Sequence, residues 1–136
     1  LGLSQLKKLK KIINKRIKIA KIYDKSFRGL DNIFLPQFKN RDKSSNHLYV
    51  LNLNFKKIKI NRSDFMKILL KKGIMTQVHY IPIHLHPYFK NKAIKKLNLE
   101  NAMSYYNQAL SIPIFYNLSN SVQTKIINII KKAIRR

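Results

Sequence analysis

The chain contains no cysteine, only three glycines and only five carboxylates in 136 residues. Without cysteine it has neither a disulfide framework nor a thiolate metal site, which excludes zinc fingers and fits a reducing, cytoplasmic setting. The glycines, Gly2, Gly29 and Gly73, are too few and too far apart to form a phosphate-cradling loop. A Ser-His-Asp triad has equally little to build on, because no serine sits in a nucleophile-elbow sequence and few aspartates are present to orient a histidine. Lysines interrupt every isoleucine-rich run, so no segment approaches the ~20 apolar residues of a membrane-spanning helix. The opening Leu1-Gly2-Leu3 has no initiator Met and no signal-peptide order, and it leads straight into helical sequence, as a chain entered mid-domain would.

Apolar residues make up 45% and charged residues 25% of the composition, which predicts one folded domain rather than disorder. The 29 Lys and Arg against 5 Asp and Glu give a net charge of +24, a balance that in general favours nucleic acid or an anionic surface. Here the lysines travel with Ile and Asn along the whole chain, the pattern of an AT-rich codon bias. A functional basic patch would be clustered and interleaved with stacking aromatics. A small basic nucleic-acid-binding module is therefore the alternative from another class, not the leading reading.

Leu3, Leu6, Leu9, Ile13, Ile17, Ala20, Tyr23 and Phe27 recur at three- and four-residue steps, which predicts one long helix ending near Gly29. Ile33 to Pro36 reads as a short extended piece and Lys39 to Asn46 as a loop, and His47 to Asn54 predicts a central strand. Asn61 with Asp64 three residues on, an apolar stripe of Phe65, Ile68 and Leu69, and Lys71-Lys72-Gly73 bound a second helix. Ile74 to Ile81 predicts another strand, stopped by Pro82. An irregular basic stretch follows, then a helix from Glu100 to Leu110, a short strand Ile112 to Phe115, and a last helix from Ser119 or Asn120 to Ala133. That last helix carries the stripe Val122, Ile126, Ile129, Ile130 and Ala133. The order predicts a compact α/β (α+β) layer.

Gly73 to Phe89 concentrates hydrogen-bonding side chains. Gln77, His79 and Tyr80 straddle a strand end, and two prolines stiffen the loop beyond it, so polar groups on rigid backbone are placed to orient a ligand. The plainer alternative is that His79 and Tyr80 are partly buried and satisfied by neighbouring backbone. His79, His84 and His86 offer a His-x-His spacing, but no carboxylate or cysteine lies nearby to complete a metal site, so no metal is expected.

Three blocks resemble one family. Leu1-Gly2-Leu3-Ser4-Gln5-Leu6-Lys7-Lys8-Leu9 with Lys21-Ile22-Tyr23-Asp24, then Gly73 to Phe89, then Tyr105 through Ala109-Leu110-Ser111-Ile112-Pro113-Ile114 are similar, in order, to the C-terminal part of the DegT/DnrJ/EryC1/StrS aminotransferases. The resemblance implies the small domain of a fold-type I aminotransferase. Residues 1–30 would form a connecting helix and 31–136 a mainly antiparallel sheet with helices that contacts substrate, the large cofactor-binding domain being absent. It implies pyridoxal 5'-phosphate as cofactor, glutamate and a sugar nucleotide as substrates, and a homodimer in the full-length form. Val78-His79-Tyr80-Ile81-Pro82 with His84-Leu85 and Pro87-Tyr88 is most similar to members acting on a UDP-4-keto-6-deoxy-N-acetylhexosamine of the pseudaminic-acid type, a perosamine-type 4-keto sugar being the alternative. The substrate contacts it implies are Gln77, Val78, His79 and Tyr80, which orient the hexose. No lysine here matches the family's Schiff-base lysine, so the chain alone is expected to be inactive. The acid that pairs with the pyridine nitrogen is missing too, and His86 departs from the polar residue common in relatives.

Overall fold

The computed structural model describes residues 2–35, 43–90 and 99–135. The first apolar period forms two helices rather than one, α1 (Gly2–Leu6) and α2 (Leu9–Phe27). At the break the Lys8 N–H donates to the Gln5 carbonyl at 3.0 Å, a step of three that tightens the ladder. Nothing on α1 is buried to hold it in line, and cations crowd the junction at Lys7, Lys8, Lys10 and Lys11. The far end stops as expected. Gly29 takes φ +76°, and the Arg28 N–H donates to the Asp24 carbonyl.

Four strands form one antiparallel sheet in the order β1 (Ile33–Phe34), β2 (Tyr49–Leu53), β4 (Ala109–Ile112), β3 (Gln77–Val78). The strand expected at 47–54 is indeed central. On β2, Tyr49, Leu51 and Leu53 are buried, and they join Leu110 and Ile112 of β4 in a core with Ile19, Tyr23 and Phe27 of α2. Two further helices close that core: α4 (Arg62–Lys71), through Phe65 and Leu69, and α7 (Asn120–Ile134), through Ile126, Ile127 and Ile130. Each such large side chain, once buried, contributes about 1.5–3 kcal/mol. The other sheet face carries Val50, Asn52 and Ser111, and α6 (Glu100–Gln108) packs against β2.

Several boundaries differ from expectation. The helix expected to reach Leu110 ends at Gln108, and the strand expected at 112–115 is β4 at Ala109–Ile112, because pairing with β2 (Leu51 opposite Leu110) draws a locally helix-compatible Ala-Leu into the sheet. The strand expected over 74–81 narrows to Gln77–Val78, since Ile74 is held instead by its N–H to the Leu69 carbonyl at the end of α4. The buried stripe of α7 is rotated from that expected: Gln123 and Ile127 face inward, while Val122 is exposed. A single-turn α3 (Phe55–Ile58), capped by the Asn54 side chain accepting from the Lys57 N–H, has no counterpart in the expected order. The Asn61 cap of α4 is as expected, its Oδ1 accepting from the Asp64 N–H at 2.8 Å. Pro36 of the expected extended piece, the 39–42 portion of the expected loop and the 91–98 portion of the basic stretch lie outside the described residues.

Candidate substrate-binding edge of the sheet

β3 is an outer strand, paired on one side to β4 with Gln77 opposite Ser111 and Val78 opposite Leu110. Gln77 therefore shares Ser111's sheet face. Both side chains line an open cleft of about 440 Å³ together with His47, Met75, Pro113 and Phe115. Its walls are mostly apolar, and among the described residues its polar side chains are an amide, a hydroxyl and an imidazole, with no lysine, arginine or carboxylate in the lining. Such a lining suits a neutral, hydroxyl-rich ligand better than an ionised one.

The four expected site residues do not converge on that cleft. Gln77 lines it; His79, half-buried, instead meets the Tyr105 ring of α6 edge-on at 5.7 Å and 85°, and the Tyr80 ring at 5.6 Å. Val78 is 40% and Tyr80 85% exposed. His79 is partly buried, as the plainer reading has it, but its ring meets aromatic rings rather than backbone, and Tyr80 is exposed. Burial raises the Tyr105 hydroxyl pKa above its ordinary value.

Beyond Pro82 the chain makes one 3-10 turn at Ile83–Leu85 and the short α5 (Pro87–Lys90). His86 Nε2 lies 3.3 Å from the Ile81 carbonyl, which ties the loop back on itself. Ile81, Ile83, Leu85 and Tyr88 are all exposed, so the loop presents an apolar and aromatic surface. Among the described residues no three His, Asp or Glu side chains are grouped to hold a metal ion.

Two supports come from elsewhere in the chain. The buried Tyr23 of α2 donates its hydroxyl to the Pro113 carbonyl at 2.9 Å, fixing one wall of the cleft. Arg62 of α4 stacks on the Tyr106 ring at 4.7 Å and donates to the Tyr106 carbonyl, tying α6 to α4. Ser111, His47 and Tyr105 were not singled out as site residues from the sequence. Ser111 was hidden because the strand was expected to begin one residue after it. No local signal marks Tyr105 as a partner of His79.

The family model for the DegT/DnrJ/EryC1/StrS aminotransferase family matches residues 1–131. A UDP-4-amino-4,6-dideoxy-N-acetyl-beta-L-altrosamine transaminase of Campylobacter jejuni is 38% identical over 83% of this chain and 30% of its own length. The solved structure of Helicobacter pylori PseC, an aminotransferase of pseudaminic acid biosynthesis, superposes with a TM-score of 0.86 at 32% identity, covering 98% of this chain and 36% of that one. Streptomyces venezuelae DesV, solved with a ketimine intermediate, gives a TM-score of 0.83 at 26% identity over 96% of this chain and 34% of its own. The chain spans about a third of the length of these relatives.

Proposed function

The chain belongs to the DegT/DnrJ/EryC1/StrS aminotransferase family, and on that premise we propose that it is the small, substrate-contacting part of a sugar-nucleotide aminotransferase. The whole protein would move an amino group from glutamate to a UDP-4-keto-6-deoxy-N-acetylhexosamine, as a cytoplasmic homodimer. A connecting helix over residues 1–30 would lead into the contacting domain over 31–136. The substrate assignment follows from the similarity to the altrosamine transaminase and to PseC.

The observation that carries this reading is the cleft beside β3, where Gln77 and Ser111 present neutral hydrogen-bonding groups between apolar walls. The Gln77 amide and Ser111 hydroxyl are suited to hold hexose hydroxyls or the acetamido group. His79, braced by Tyr105, keeps the strand end in place, and the exposed Tyr80 ring is free to lie over a sugar face. Each acts by orienting the substrate.

Pyridoxal phosphate supplies the electron sink for amino transfer when it is bound. The cleft does not fit that group: among the described residues its lining offers no amine to hold the cofactor covalently and no cation for its phosphate. The cofactor would be held by parts of the whole protein other than this cleft.

The reading is tested on the 136-residue chain by saturation-transfer NMR with UDP-N-acetylglucosamine as a stable probe. Gln77→Ala is expected to weaken binding about 2- to 10-fold, the effect of one lost hydrogen bond of about 0.5–1.5 kcal/mol. Tyr80→Ala is expected to do the same. Unchanged affinity in both variants would remove the assignment. With pyridoxal phosphate, glutamate and the 4-keto sugar added, no turnover is expected; turnover would place a competent lysine within these residues.

A further inference from the structure

A second concavity, of about 770 Å³, lies between the first half of α2 and the segment 116–119 leading into α7. Among the described residues five lysines line it, Lys7, Lys10, Lys11, Lys15 and Lys18, and no carboxylate does. We propose that this groove binds an oligophosphate, an anion with at least three linked phosphate groups, at a site separate from the sugar cleft and independent of the aminotransferase reading.

Codon bias explains why the chain has many lysines but not what surrounds these five. Lys10 and Lys11 occupy the first turn of α2, which has no acidic residue, although a helix N-terminus already carries partial positive charge. Within α2, Lys11 and Lys15 are like charges four residues apart, a spacing at which they repel. The N-terminus of the 15-residue α7 opens on the same groove through its N-cap Ser119, again with no acid in its first turn. Five lysines thus line one space, with the first turn of α2 beside it and the N-cap of α7 at its rim. This crowding of like charges destabilises the free chain and is relieved by a bound anion.

The shape selects among anions. Lys10 to Lys18 spans ~12 Å of helix, more than one orthophosphate can bridge. Lysine ammoniums act as mobile point charges suited to phosphate oxygens. Asn14, Asn117 and Ser119 add neutral polar groups along the rim, and Lys11 Nζ sits 5.9 Å from the centroid of the Tyr116 ring, an aromatic face in the lining. The volume is that of a small-molecule site rather than a duplex track.

The test is isothermal titration of the 136-residue chain with inorganic tripolyphosphate, ATP and orthophosphate at ~150 mM salt, where screening suppresses diffuse attraction. One saturable site is expected, with tripolyphosphate at least 100-fold tighter than orthophosphate. Lys11→Gln and Lys15→Gln should each weaken it about tenfold, which corresponds to ~1.4 kcal/mol. Both substitutions relieve repulsion within α2, so lost binding with an undiminished melting temperature cannot be ascribed to unfolding. Lys56→Gln/Lys57→Gln, on α3 and outside the groove, should leave affinity unchanged. Binding by ATP that shifts the Tyr116 ring resonances marks a nucleotide as the source; binding by tripolyphosphate alone marks an inorganic chain. The proposal is overturned by multi-site binding that the Lys56/Lys57 variant weakens equally, or by a glutamate-rich peptide binding as tightly as tripolyphosphate.

Discussion

Replacing Tyr23 by Phe isolates the strut between the long helix and the cleft beside β3. The Tyr23 ring is fully buried, stacked on Phe27 at 5.9 Å and tilted against Tyr49 at 4.8 Å, so removing only the oxygen leaves this aromatic packing in place. What is lost is the 2.9 Å hydrogen bond to the Pro113 carbonyl, together with that carbonyl's satisfaction at a part-buried position. The expected cost is about 1–2 kcal/mol, or ~3–8 °C in melting temperature for a domain of this size. Thermal and urea unfolding followed by circular dichroism at 222 nm measures it. Burial also pushes the Tyr23 hydroxyl pKa well above its ordinary 10.0. An acid whose folded pKa is raised contributes stability that is complete below the unfolded pKa and declines as pH rises beyond it. The wild-type chain should therefore lose stability above pH ~10 more steeply than Tyr23→Phe. A melting temperature within about 1 °C of wild type, with identical alkaline slopes, would refute the strut.

Gln123 of α7 is 1% exposed; its Nε2 donates to the Ile19 carbonyl at 2.8 Å, but its buried Oε1 has no hydrogen-bond partner among the described residues. Gln123→Leu should be within about 1 kcal/mol of wild type, since the lost bond is offset by relief of the unpaired oxygen, whereas Gln123→Ala should cost about 2 kcal/mol or more through the cavity; equal melting temperatures for the two would contradict this. Asn61→Ala removes the cap of α4 and should cost about 0.5–2 kcal/mol by urea titration. The Asp64 carboxyl pKa is lowered by its bonds to Lys67 and Asn61, so the stability it adds is present above the unfolded pKa and lost as pH falls through the folded one; Asp64→Asn should flatten that acid slope. Leu3, Leu6 and Leu9 are 79%, 63% and 45% exposed, so the triple change to Ser should move unfolding by about 0.5 kcal/mol or less per residue while reducing binding of an apolar dye.

What could be read from the sequence depended on whether a signal was local. Gly29 and Asn61 marked helix ends because one residue's backbone freedom or one side-chain oxygen suffices, and both ends lie where expected. The β4 boundary was not legible: Ala109-Leu110 continues a helix as readily as it begins a strand, and the choice is made by Leu51 and Asn52 across the sheet. The break at Lys7-Lys8 was likewise not legible, because the apolar period runs through it even though Leu3, Leu6 and Leu9 are exposed in this structure. At the candidate site, Gln77 could be found because polar residues at a strand end before prolines are conspicuous. Ser111 and Tyr105 reach it only through tertiary pairing.

The sheet order also fixes a sequence of events in time. The central ladder pairs Tyr49 with Ile112 and so closes an interval of roughly sixty residues, a costly closure that fast local helices do not need. α4, β3 and α6 all lie inside that interval, and β3 has no strand partner until β4 is in place. On a chain emerging from the ribosome, α2 and α4 can form early, whereas the cleft beside Gln77 cannot exist before Ile112 has been made and docked. The binding edge is among the last parts of the molecule to mature, and a slow step in its appearance would be timed by the β2–β4 pairing rather than by any residue that touches a ligand.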